Sequence, residues 1–249
     1  AQSDISLYGN VVDLTTSAVT TLGGADINLQ AKRLNMNRLS GLHAISPVEG
    51  EGGDININAD DLFIAEGRIR TTSHGGDGGD INIDAGQIDS IRTLIEANNL
   101  FVGRKGPTTH YNLHQTGDIN ITARKSFAND ESSFFVNSYT KGGAGNLNIN
   151  AGTFIGDGSD ENAGAVPFGR FILPESERFS GDGPDQNTST DVWIMAYEGK
   201  TGEIKINADT FDGRQVRVVN VAKDDRQVKL SQSEKAGYGD ITINAKDIN

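Results

Sequence analysis

Apolar and polar residues alternate strictly in short blocks that recur along the chain: Ile55, Ile57 and Ala59; Ile81, Ile83 and Ala85; Ile119, Ile121 and Ala123; Ile241, Ile243 and Ala245. A period of two puts one set of side chains on one face, so each block predicts a strand with a single buried face. The intervening positions are polar, as with Asn56 and Asn58 or Asn82 and Asp84. Most copies follow a glycine and read Gly-(Asp/Asn/Glu)-φ-x-φ-x-Ala, where φ is Ile or Leu. They begin at Asp26, Asp54, Asp80, Asp118, Asn146, Glu203 and Asp240, with a weaker one at Asp4. The inward set therefore comprises Ile27, Leu29, Ile55, Ile57, Ile81, Ile83, Ile119, Ile121, Leu147, Ile149, Ile204, Ile206, Ile241 and Ile243. Three residues past the alanine stands another large apolar residue, such as Leu34, Leu62, Ile88, Phe154, Phe211 or Ile248; the fourth copy carries Phe127 one place later. That residue predicts a second strand after a short bend.

Successive acids are 28, 26, 38, 28, 57 and 37 residues apart. Periods in the twenties with glycine-rich corners predict an all-β fold, a right-handed parallel β-helix (β-solenoid) in which stacked coils bury one another's apolar faces. About nine to ten coils at the interstrand spacing of roughly 4.8 Å would make a rod about 45 Å long. Residues 1–249 read as one solenoid domain with loop excursions at about 102–117, 156–190 and 218–239. Within the 57-residue gap, Val192, Ile194 and Ala196 alternate and predict a further turn. The segment "SIRTLIEANNLF" (90–101) is the best helical candidate, but its β-branched residues suit a coil strand better. A propeller needs longer repeats than the short spacings here.

Composition narrows the partners. Apolar residues make up 35% of the chain, low for a compact globule, and 31 glycines accompany only 5 prolines without a three-residue period. A net charge of −12 opposes nucleic acid and anionic membranes as partners. There is no cysteine, and no run of 18 apolar residues that would insert into a bilayer.

Chemistry is sparse. Gly53-Asp54, Gly79-Asp80, Gly117-Asp118, Gly202-Glu203 and Gly239-Asp240 predict tight corners, with glycine supplying φ > 0 and the acid bonding to nearby amides. The alternative is a carboxylate column in which Asp54, Asp80, Asp118 and Asp240 hold Ca2+; no other cofactor is indicated. The asparagines Asn28, Asn56, Asn82, Asn120 and Asn148 predict a side-chain ladder. Candidate binding or assembly residues are Phe168, Phe171, Ile172 and Leu173 in the long excursion, Trp193 and Tyr197 beyond it, and His110, Tyr111 and His114 in the first excursion. Acids are plentiful but scattered, and no Ser/His/Asp order, phosphate loop or HExxH occurs, so no catalytic residue is assigned.

The phrases "GGDININADDLFI" and "GGDINIDAGQI" resemble the passenger repeats of filamentous-haemagglutinin-like exoproteins, secreted by the two-partner route, of the cyanobacterial type. The resemblance covers most of residues 20–155 and 199–249. It implies a β-helix outside a Gram-negative-type bacterium, secreted or at the cell surface, serving adhesion, aggregation or fibre formation. The family's amino-terminal secretion domain is not found here, so the chain reads as an internal piece or a short relative. The expected function is a structural filament built by end-to-end stacking of copies. The alternative is an adhesin or carbohydrate-binding stalk, meeting surface carbohydrate or other cells through its loops; a polysaccharide lyase or hydrolase ranks behind both.

Overall fold

The structure, a computed structural model, describes residues 3–47, 50–100, 114–140, 142–157, 190–196, 199–213, 216–222 and 239–248. Every described element is a strand. The first sheet holds β1 (Ile5–Thr15), β3 (Ile27–Asn37), β5 (Ile55–Ala65), β7 (Ile81–Ile91), β9 (Ile119–Asp130), β11 (Leu147–Asp157), β13 (Ile204–Asp212) and β15 (Ile241–Ile248), stacked in that order. The second holds β2 (Ala18–Leu22), β4 (Gly41–Ser46), β6 (Arg68–Ser73), β8 (Leu94–Asn99), β10 (Ser133–Ser138), β12 (Thr190–Ala196) and β14 (Val216–Ala222), likewise in coil order. All pairings are parallel, as a β-helix requires: each strand meets its counterpart one coil away.

The register follows the repeat phrase. Ile55 pairs with Ile81, Ile57 with Ile83 and Ala59 with Ala85, and the same columns run through Ile204 and Ile241. These side chains fill one continuous core with the inward residues of the second sheet, Leu42, Ile69, Ile95, Phe134 and Val192. The second strand expected after each alanine belongs to the same long strand. Its inward set slips phase, from Ile81, Ile83 and Ala85 to Ile88, so the sheet bends without losing its ladder. Phe127, one place late, is absorbed by a register shift opposite Ala85 and Gln87, and pairs with Ile88 and Phe154.

Two expectations are corrected. The described strands form eight coils, the last represented by β15, against the nine to ten expected. At about 4.8 Å per step the first sheet is roughly 34 Å tall. The difference arises because the unequal gaps are side excursions: Leu147 pairs directly with Ile204 despite 57 intervening positions. Val192, Ile194 and Ala196 therefore form the second-sheet strand of the sixth coil and add no further turn. Likewise 218–222 lies within β14, not in an excursion. The "SIRTLIEANNLF" segment is strand, through the end of β7 and β8.

The second correction concerns glycine. Gly53, Gly79, Gly117 and Gly202 are not among the positive-φ residues. Their need is spatial: a Cβ on Gly79 would lie 2.5 Å from the Gly53 carbonyl carbon and closer still to its oxygen, and Gly202 meets Gly145 in the same way. Left-handed backbone occurs at other glycines, Gly23, Gly24, Gly75 and Gly143, and after the long strands at the non-glycine residues Thr16, Arg38, Leu39, Glu66, Arg92 and Glu131, the latter with φ from 47° to 65°. The stacked ladder offsets that steric cost, with Glu66 N–H donating to Ile91 O at 2.9 Å and Arg92 N–H to Asp130 O at 2.7 Å.

Candidate functional site

A solenoid repeats its surface, so distinctive chemistry lies where a column changes residue type. At the corner before the first sheet the acid column is structural. The carboxylate Oδ1 of Asp26 accepts Asp54 N–H at 2.8 Å, Asp54 accepts Asp80 N–H at 2.8 Å, and Asp80 accepts Asp118 N–H at 2.7 Å. Asp118 serves Asn146 at 2.7 Å, and Asn146 serves Glu203 at 2.9 Å. Each side chain thus satisfies an amide of the next coil. Among the described residues no three His, Cys, Asp or Glu side chains converge in a way that could hold a metal ion. Asp240 contributes its carbonyl oxygen to Ile204 N–H.

Burial raises Asp54 and Asp80 above the ordinary carboxylate pKa, opposed by the amide each accepts and reinforced by neighbouring acids of the column. Because the folded value is the higher one, their contribution to stability is fully present below the unfolded value of about 3.9 and is lost as pH rises through the raised folded values. Asp80→Asn keeps the acceptor and removes the charge, so its urea midpoint should exceed that of the parent at pH 7 and converge with it near pH 4. Asp80→Ala leaves the Asp118 amide without its acceptor and should cost about 1–3 kcal/mol at either pH.

The asparagine ladder is present and unbroken from Asn28 to Asn148, with Nδ2–H to Oδ1 distances of 2.9–3.0 Å. A second ladder, Asn150, Asn207 and Asn244, runs on the next outward column at 2.8 Å. A shallow groove of about 430 Å³ lies over the first ladder, lined by Tyr8, Gln30, Asn58, Asp84 and Thr122 as well. Its amides already bond to one another, which makes the groove chiefly a product of stacking.

The outward face of the second sheet differs. Its central column runs Thr20, His43, Arg70, Glu96, Phe135, Trp193 and Val219. Adjacent to it stand Gly41, Arg68, Leu94, Ser133, Asp191 and Arg217. Polar groups occupy β4, β6 and β8, and apolar rings take over from β10. Glu96 is fully buried; Arg68 donates to its Oε1 through Nε at 2.7 Å and through a terminal nitrogen, and Arg70 Nε lies 3.4 Å from the same oxygen. The second oxygen, Oε2, is buried without a hydrogen-bond partner. Arg70 Nε–H also donates to Thr72 Oγ1 at 2.7 Å. Burial, then the two arginines, hold His43 below the ordinary histidine pKa, so it is neutral at pH 7.

Trp193 sits on this face, buried beside Leu94 and Phe135, with ring centroids 6.4 Å apart and the Arg217 guanidinium 5.0 Å from its ring centre. Arg217 is itself held by Asp191 at 3.0 and 3.2 Å. His114 is set against Asp77, with Nδ1 at 3.2 Å from Oδ1, and the same oxygen accepts Gln115 N–H. The other expected binding residues, His110, Tyr111, Phe168, Phe171, Ile172, Leu173 and Tyr197, lie outside the described residues. Sequence reading missed the Arg68–Arg70–Glu96–His43 group because its members come from three coils, 25 or more residues apart from one strand to the next, and none belongs to the repeat phrase. Aligning the second strand of each coil by the phrase before it would have put Arg70 and Glu96 in one column, each 16 residues past its acid, but His43 stands 17 past Asp26, and only the strand register brings it into that column. Comparison with known protein families, with characterised proteins and with solved structures gives no match to this chain.

Proposed function

We propose that this chain is a structural rod of the extracellular surface or matrix, which extends into a fibre by adding coil to coil. The observation behind this reading is the open stack at β15. Ile241, Ile243 and Ile248 continue the inward columns of Ile204, Ile206 and Phe211 in register, yet are 46%, 38% and 68% exposed. Among the described residues no strand pairs with the outer edge of β15, and an exposed apolar column beside such an edge accepts another coil of the same spacing, from a continuing chain or from a second copy. At β1, Leu7, Val12 and Leu14 are only partly buried against the core, so the opposite face has the same need. The resemblance of the repeat phrase to filamentous-haemagglutinin-like passengers supports a place outside the cell. Nothing in the reading calls for a cofactor or a catalytic step.

Sedimentation and electron microscopy of the purified chain test chain-to-chain stacking. Rods of constant width whose length grows with concentration are expected. Ile243→Lys, which points a charge into the open end, should leave short folded monomers. A parent chain that stays monomeric at high concentration overturns the filament.

A further inference from the structure

We propose that the outward face of the second sheet at β4, β6 and β8 binds a carboxylate-bearing sugar on an otherwise neutral glycan, with Arg68 and Arg70 gripping the carboxylate. The argument begins with charge. Two guanidinium groups face one carboxylate, Glu96, and His43 beside them is uncharged, so among the described residues one positive charge remains uncompensated. That surplus sits on a chain whose net charge is −12. A densely charged polymer would be repelled by the whole molecule, whereas an isolated carboxylate is attracted over the short range where this patch dominates.

The donors are arranged for such a group. Arg68 commits Nε and one terminal nitrogen to Glu96, and Arg70 commits Nε to Thr72 and Glu96. The other terminal N–H groups are left over, on side chains that are 38% and 26% exposed. A guanidinium held from behind loses little further freedom on binding, and its fork matches a carboxylate through two hydrogen bonds. Glu96 is the positioning residue, fixing both arginines from beneath.

A second observation points to a hydroxylated ligand. Glu96 Oε2 is buried with no donor in reach, an unusual state for a carboxylate oxygen. Oε2 is closed off in the free chain, so a sugar hydroxyl or one water supplies that donor as the arginine side chains turn outward to grip the ligand's carboxylate. Neutral His43 adds a group able to accept or donate at the rim. A purely structural ion pair needs neither a second arginine nor an unfilled acceptor, since an apolar trio would pack this face at no greater cost. The site lies away from the open ends of the stack, so it works equally in a monomer and in a fibre.

Calorimetric titration of the whole chain with a glucuronate-terminated xylobiose tests the assignment, with its carboxyl-reduced counterpart and inorganic phosphate as comparisons. Saturable binding of the acidic trisaccharide is expected, weakening as NaCl rises from 50 to 300 mM. The reduced sugar should bind at least tenfold more weakly. Arg70→Gln should weaken binding tenfold or more, as should the paired Arg68→Gln/Glu96→Gln, which leaves no uncompensated buried charge and should keep its melting temperature. Glu96→Gln alone takes away both the acceptor Oε2 and the charge that holds the two arginines, so it should bind the acidic sugar more weakly than the parent, a loss that a merely structural role for the cluster does not yield. Absence of binding at millimolar ligand, equal binding of the reduced sugar, or indifference to the arginine substitutions overturns the proposal. Phosphate binding as tightly as the trisaccharide also overturns it, in favour of a general oxyanion site.

Discussion

Gly79→Ala is expected to unfold the middle of the rod or leave the chain insoluble. The corner glycine stacks directly on Gly53 below and under Gly117 above. A methyl group at position 79 would lie 2.5 Å from the Gly53 carbonyl carbon. The obstructing carbonyl belongs to backbone that is locked in the parallel ladder, so it cannot turn aside as a side chain could. Relief requires prising two coils apart at the corner where Asp54 accepts the Asp80 amide. Overpacking of this kind costs about 3 kcal/mol or more. Gly9→Ala is the control: its nearest neighbours, Val11 O and Val12 Cγ2, would stand 3.2 and 3.3 Å from the new methyl. A small backbone adjustment at the first coil accommodates that, and the urea midpoint should move little. Equal losses for the two variants would show that close coil stacking is not what glycine provides at position 79.

Phe154→Ala should produce the other large loss, about 3–5 kcal/mol. The inward column is aliphatic in the early coils, at Leu34, Leu62 and Ile88, and becomes aromatic at Phe127, Phe154 and Phe211. Phe154 is fully buried between its two counterparts. It meets Phe127 edge-to-face at 5.6 Å and lies nearly parallel to Phe211 at 5.2 Å. Truncation would open a cavity bounded by rings above and below that cannot collapse into it, since each is anchored by its own coil. Phe154→Leu, which copies Leu62, should recover most of the loss. Because neighbouring coils stabilise one another in a nearly one-dimensional array, the alanine variant should melt in two steps, with the β11–β15 region first. A single unshifted transition would show that the aromatic column contributes no more than the aliphatic one.

Much of the rod was legible from the spacing of residues. Ile-x-Ile-x-Ala, read as a one-faced strand, has the inward residues it predicts, and the asparagine column forms the ladder expected of it. Such features are local: a side chain's face follows from its parity, and a recurring phrase must stack on itself. The glycine corner was identified for the wrong reason. Close approach between coils is a property of two segments 26 or more residues apart, whereas φ > 0 is a property of one. For the same reason the left-handed positions at Arg38, Glu66 and Arg92 carried no sequence signal, since the ladder on both sides, not the residue type, holds them there.

The amino-acid sequence by itself determined the strand faces, the repeat and hence the parallel β-helix, because these depend on a period of two and on identity between copies. Only the tertiary structure decided how many coils there are. Coil count depends on which segments pair across gaps of unequal length, and a 57-residue separation can hide a single step. It also decided the candidate site. His43, Arg70 and Glu96 meet because they lie at matching positions on successive second-sheet strands, one coil apart, and Arg68 joins them from the neighbouring column on the strand of Arg70. Register converts distance along the chain into adjacency across the sheet, and that conversion brings two arginines onto one buried carboxylate.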